Sequence, residues 1–158
     1  MDHATEYAIR RLIHSVADLQ DEGRIEELAR LFRYGEIVLA GVGQRFHGEQ
    51  GALEVLRSTV FYDANGNPAD PAVVYATPRS LQYVSNVDVY AGADGEPCAT
   101  SRFMVVQQRE DGPHAVIGGR YLDSFVRADA GYAFRRRVVE VHLLGDSVGY
   151  LTKNPWTS

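Results

Sequence analysis

The sequence predicts an α+β fold, a cone-shaped curved antiparallel sheet packed around N-terminal helices. Three observations predict it. Apolar residues recur at helical spacing up to about residue 61, alternation with period two takes over from about residue 79, and the alternating stretches are separated by "AGADGE", "DGP" and "DAG". The last three are good hairpin turns. Helices first and a meander afterwards place the helices on one face of an antiparallel sheet.

Residues 4 to about 20 set Ile9, Leu12, Ile13, Val16 and Leu19 on one helical stripe, and Gly23 is a natural stop. "RIEELARLF" reads as a second, shorter helix that buries Ile25, Leu28, Leu31 and Phe32. "EIVLAG" is a short strand. "GEQGALEVLRSTVFY" reads as a third helix with Leu53, Leu56, Val60 and Phe61 inward. The turn-rich stretch 63–78 is the one long loop, and loops of that length are often lids or oligomer contacts. Four strands follow in "RSLQYVSNVDVY", "PCATSRFMVVQQRE", "HAVIGGRYLDSFVRA" and "YAFRRRVVEVHL". Residues 1–158 form a single domain with a core over 5–145 and an irregular tail from 146.

A chain of 158 residues is long enough to bury a real core, and 45% apolar with 23% charged residues is a globular composition. The formal charge of −5 argues against nucleic acid, which needs a basic stripe. Arg135, Arg136 and Arg137 alternate faces on a strand and read as solvated or carboxylate-paired. The lone Cys98 has no internal disulfide partner and no zinc-site companions, which fits a cytoplasmic setting. No apolar run approaches the roughly 18 residues of a membrane span, and no signal peptide opens the chain. No metal motif or nucleotide-binding loop is present, so no cofactor is expected.

A curved sheet wrapped around helices leaves a pocket lined by inward strand residues. Phe103, Val105, Tyr121, Phe125 and either Tyr83 or Val84 are its candidates. Tyr121, Asp123 and Phe125 share one strand parity, so an acid sits among aromatics. An inward carboxylate needs a partner, because burying it alone is costly. Arg102 and Arg136 are the partners considered.

"DEGRIEELARLF" after an amphipathic helix, "YVSN" opening the sheet, and "GGRYLDSFVRADAGYAFRRR" near the end carry a resemblance. Together they resemble the nuclear-transport-factor-2-like superfamily, in its SnoaL-like branch with scytalone dehydratase, a dehydrochlorinase and polyketide cyclases. The resemblance implies a cone-shaped α+β barrel over residues 5 to about 145. It implies for Asp21 the role of the acid that ends the first helix and orients a catalytic histidine. The histidine's position is Gln82 here, and glutamine cannot take up and release a proton near neutral pH. Ketosteroid isomerase, on the same superfamily fold, uses an Asp base with a Tyr and a protonated Asp as donors. Asp21, Tyr121 and Asp123 offer comparable residue types.

Asp21, Asp123 and Tyr121 are therefore the candidate catalytic residues, with Gln82, Tyr83, Phe103, Val105 and Phe125 for substrate binding. Asp21, Gln82, Tyr121 and Asp123 are expected to converge on a single apolar cavity. The alternative for Asp21 is to stabilise the helix–helix turn beside Gly23. His14, His47 and His114 read as solvated or turn residues, and His142 shares the parity of Phe134. Three functions are open: a cofactor-free enzyme acting by proton transfer on a small hydrophobic or polyketide-like ring, a module binding an apolar ligand, and an assembly subunit resembling dioxygenase beta subunits. The expected partners are a small hydrophobic molecule and a second copy, with no membrane and no nucleic acid. Met104, Val106 and Val138 lie opposite in parity to Phe103, Val105 and Val139, so the outer sheet face should be covered in a homodimer.

Overall fold

The computed structural model describes residues 1–71 and 79–157. The stretch 63–78 therefore lies partly outside the described residues. Helix α1 spans His3–Asp21, and the Asp2 carboxylate caps it by accepting the Thr5 main-chain N–H at 2.8 Å. Its stripe of Ile9, Ile13 and Val16 is buried. Gly23 ends the turn after it with φ of 71°, and a side chain there would meet the Pro71 carbonyl. Helix α2 spans Ile25–Arg30, strand β1 Glu36–Leu39, strand β2 Gln44–His47 and helix α3 Gly48–Leu56.

Helix α3 is shorter than its sequence pattern suggests. Ser58 Oγ bonds back to the Val55 carbonyl, and the Val60 N–H is taken by the Tyr150 carbonyl. Tertiary pairing thus overrides the helical spacing of Val60 and Phe61. Strand β2 was not expected either; it is a four-residue hairpin partner of β1 in which Phe46 alone is half-buried.

The meander is as expected: β3 Ser80–Ala91, β4 Pro97–Arg109, β5 Gly112–Ala128 and β6 Gly131–Leu144. The six strands form one sheet in the order β2-β1-β6-β5-β4-β3. All pairings are antiparallel except β1 with β6, which runs parallel. Register shifts between Ser85 and Asp88, at Val105/Val106, at Gly118/Gly119 and at Ser124/Phe125 curl the sheet. Gly119 permits the closest approach, since a Cβ there would lie 1.8 Å from the Glu140 carbonyl oxygen.

The helices fill the concave side. Phe134 is the centre of that packing, stacked on Phe32 at 4.5 Å and tilted against Phe125 at 5.0 Å. All three rings are fully buried, each stabilising the fold by about 1.5–3 kcal/mol. A second cluster of Phe103, Val105, Val116, Ile117, Tyr121 and Tyr150 lies beyond it, and the cavity opens between the two.

Candidate functional site

The cavity has a volume of about 130 Å³ and mainly apolar walls. Helix α1 contributes Val16 and Gln20, the sheet contributes Gln82, Phe103, Val105 and Tyr121, and the tail contributes Tyr150, Leu151, Pro155 and Trp156. Phe103 and Tyr121 stack at 4.3 Å as one wall.

Strand β3 is the edge of the sheet, so main-chain N–H groups on its free side need partners outside the ladder. The Gln82 N–H finds Asp21, lying 3.1 Å from each carboxylate oxygen. The Gln82 side chain turns inward, and its Nε2 donates to the Tyr121 hydroxyl oxygen. That leaves the Tyr121 proton available to a ligand. Gln82 Oε1 is buried without a hydrogen-bond partner.

Asp21 is half-buried, and burial pushes its carboxyl up to about 7, against the pull of the Gln82 N–H. It lines a recess of about 10 Å³ rather than the main cavity, and Gln20, Thr59 and Tyr150 line both spaces. Burial also pushes the Tyr121 hydroxyl up to about 12, with the Arg137 guanidinium opposing, so the group stays protonated and able to donate.

Asp123 faces inward, but its partner is neither Arg102 nor Arg136. Arg137 grips it with two hydrogen bonds of 2.8 and 2.7 Å, and each residue is 4% exposed. Counting back from the hairpin turn would set Asp123 opposite Arg136. The one-residue shift between Ser124 and Phe125 brings Arg137 there instead. Burial pushes the Asp123 carboxyl up while Arg137 pulls it down. Asp123 does not line the cavity; Arg137 stands between, its guanidinium 3.9 Å from the centre of the Tyr121 ring.

Of the expected binding residues, Gln82, Phe103 and Val105 line the cavity with Tyr121. Phe125 belongs to the closed core with Phe134. Tyr83 points the other way, 57% exposed on the outer face beside Met104 and Leu143, because a strand cannot turn two successive side chains inward. The expected convergence of Asp21, Gln82, Tyr121 and Asp123 on one cavity is thus met by Gln82 and Tyr121, with the two acids beside and behind it. Arg137, Tyr150 and Trp156 were missed. The aromatic pair in the tail was the one available signal for the last two.

His142 is exposed and contacts Glu140. Among the described residues, no group of three or more His, Cys, Asp or Glu side chains is placed to hold a metal ion. Also among them, no helix is long and apolar enough to cross a membrane.

The SnoaL-like domain matches residues 2–138, so the tail segment that walls the cavity lies beyond the match. No functionally curated protein matches the chain. Among solved structures, ActVI-ORFA from Streptomyces coelicolor is 16% identical with a TM-score of 0.66, over 86% of this chain and 96% of that one. A proposed scytalone dehydratase from Novosphingobium aromaticivorans is 21% identical with a TM-score of 0.65, over 87% and 84%. The beta subunit of a proposed aromatic-ring-hydroxylating dioxygenase from the same organism is 15% identical with a TM-score of 0.64, over 90% and 91%. At these identities the likeness shows the fold alone.

Proposed function

The chain belongs to the SnoaL-like domain family, and on that premise we propose that it is a cofactor-free enzyme that moves a proton on a small hydrophobic ring, as a dehydratase, isomerase or cyclase does. The observation that carries this reading is the linked run of Asp21, Gln82 and Tyr121, from a carboxyl titrating near neutral pH to a hydroxyl donor in an apolar cavity.

A carboxyl with a pKa of about 7 both accepts and releases a proton at neutral pH. Its recess of about 10 Å³ is close to the size needed for a single water. In the proposed step, a C–H proton beside a ring carbonyl passes through one water to Asp21. The developing enolate oxygen takes a hydrogen bond from the Tyr121 O–H. Returning the proton at another carbon isomerises the ring. Delivering it to a departing β-hydroxyl releases water and dehydrates the ring.

The test needs no natural substrate. Exchange of the α-protons of cyclohexanone in heavy water is followed by NMR, with the protein and with Asp21→Asn. The proposal expects acceleration by the unaltered protein and a loss of about 10²–10⁴-fold in the variant. Equal rates in the two would remove Asp21 from the chemistry.

A second reading is a binding module, favoured by Asp21 lining the recess instead of the cavity and by glutamine at residue 82. It expects ligand uptake with no acceleration of exchange in either protein.

A further inference from the structure

The tail beyond the meander is built into the cavity wall by many bonds. Thr152 N–H and hydroxyl both bond to the Ser58 carbonyl, at 2.8 and 3.1 Å. Gln107 Nε2 holds the Gly149 carbonyl at 3.0 Å, and Arg109 binds the Asp146 side chain at 2.8 Å. Asn154 accepts the Trp156 main-chain N–H at 2.9 Å and donates to Ser147 at 2.9 Å. Trp156 thereby becomes a fixed part of the cavity wall, and its indole N–H is buried without a hydrogen-bond partner.

A buried N–H without a partner is costly, and native structures rarely leave one. Trp156 is not alone: Gln82 Oε1, on another wall of the same cavity, is also buried and unpartnered. A purely hydrocarbon ligand would leave both unmet; a carbonyl oxygen answers the indole N–H, and a hydroxyl also carries a proton for Gln82 Oε1. Size limits the ligand as well. An apolar cavity of about 150 Å³ accepts benzene, and this one is about 130 Å³. It has room for one six-membered ring, and a second fused ring overfills it.

We propose that the cavity is a site for a single six-membered ring bearing a hydroxyl or carbonyl oxygen, and that the Trp156 indole N–H is the specificity-determining donor to that oxygen. This rests on the cavity being the ligand site, as in the enzyme and binding readings alike. It narrows the ligand to monocyclic, oxygenated compounds and places the selection in the tail. The two stacked rings of Phe103 and Tyr121 supply the apolar wall against which such a ring packs. Arg137 and Asp123 neutralise each other behind Tyr121, so the ligand has no need of a charge.

Trp156 is the only tryptophan, so the protein gives one indole N–H resonance. Phenol, benzene and 2-naphthol are titrated into the ¹⁵N-labelled protein and into Trp156→Phe, which keeps an aromatic side chain and deletes the donor. The inference expects phenol to move the indole proton downfield and benzene to leave it without that shift. It expects phenol to bind about 3- to 10-fold better than benzene, the effect of one hydrogen bond, and Trp156→Phe to erase that ratio. It expects 2-naphthol, the more apolar molecule, to bind more weakly than phenol. Stronger binding of 2-naphthol, or an unchanged phenol-to-benzene ratio in Trp156→Phe, overturns the inference and leaves the cavity as a ligand site. Binding of none of the three overturns both. Should the variant fail to fold, the indole shift in the unaltered protein decides.

Discussion

The main-chain N–H of Gln82 lies 3.1 Å from each carboxylate oxygen of Asp21, and the side chain of the same glutamine reaches Tyr121. One residue thus fastens the end of α1 to the edge strand and sets the orientation of a cavity hydroxyl. The acid here holds the peptide of residue 82 itself rather than its side chain.

Asp21 should leave a signature in stability. Its carboxyl is raised from 3.8 to about 7 by burial, so the folded state binds a proton that the unfolded state has already released over that interval. This contribution is fully present below pH 3.8 and is lost as pH rises through 7. Asp21→Asn should therefore melt at a higher temperature than the unaltered protein at pH 8, with the gain shrinking toward pH 4. A melting difference that grows on acidification would contradict the assigned burial. The exchange rate, in turn, should rise with pH and level off above about 7, as the ionised base accumulates.

The buried pair of Asp123 and Arg137 should behave as a unit. Removing one partner leaves the other buried without compensation, which costs about 3–5 kcal/mol. Denaturant melts of Asp123→Leu and Arg137→Met are expected to show losses of that order. The double change Asp123→Leu with Arg137→Met should recover most of the loss. Additive losses would mean that the two side chains do not depend on each other.

The meander, its turns and the shared parity of Tyr121 and Asp123 were legible in the sequence because local alternation and turn chemistry encode them, while the inward direction of that parity followed from the family resemblance. The partner of Asp123 was not legible. It depends on a one-residue register shift between Ser124 and Phe125 that no turn signal reports. The early end of α3 escaped for a related reason, since the Tyr150 carbonyl, distant in sequence, takes the Val60 N–H, whereas β2 is a short edge strand paired with β1 alone. Residues 146–157 look irregular in sequence because their order comes from anchoring to Ser58, Gln107 and Arg109 instead of from any period.

Tyr121→Phe separates packing from donation. The ring remains on Phe103, while Gln82 Nε2 loses its acceptor. We expect a stability loss of about 1–3 kcal/mol from that orphaned donor. Exchange of cyclohexanone protons should fall by about 10²–10³-fold, as when a donor to a developing oxyanion is removed. Retained exchange would assign the oxyanion to another group.

On the outer face, Leu81, Tyr83 and Leu143 are all more than 40% exposed. We expect this face to be covered by a second copy of the chain, giving a homodimer by light scattering at micromolar concentration. Tyr83→Glu with Leu143→Glu should then yield monomers that still take up phenol, because neither residue lines the cavity. A monomeric unaltered protein would leave the face to a different partner.

The parallel pairing of β1 with β6 has a consequence in time. Glu36 of β1 meets Arg136 of β6, 100 residues later in the chain. At a synthesis rate of roughly 5–20 residues per second, β1 waits on the order of 5–20 s for its central neighbour to emerge. Until then it has only β2, and an isolated two-stranded hairpin is marginal in water. Ile37 and Leu39, buried in the finished sheet, stay within reach of chaperones during that interval. The cavity in turn acquires its Arg137 wall only once β6 has been made and paired.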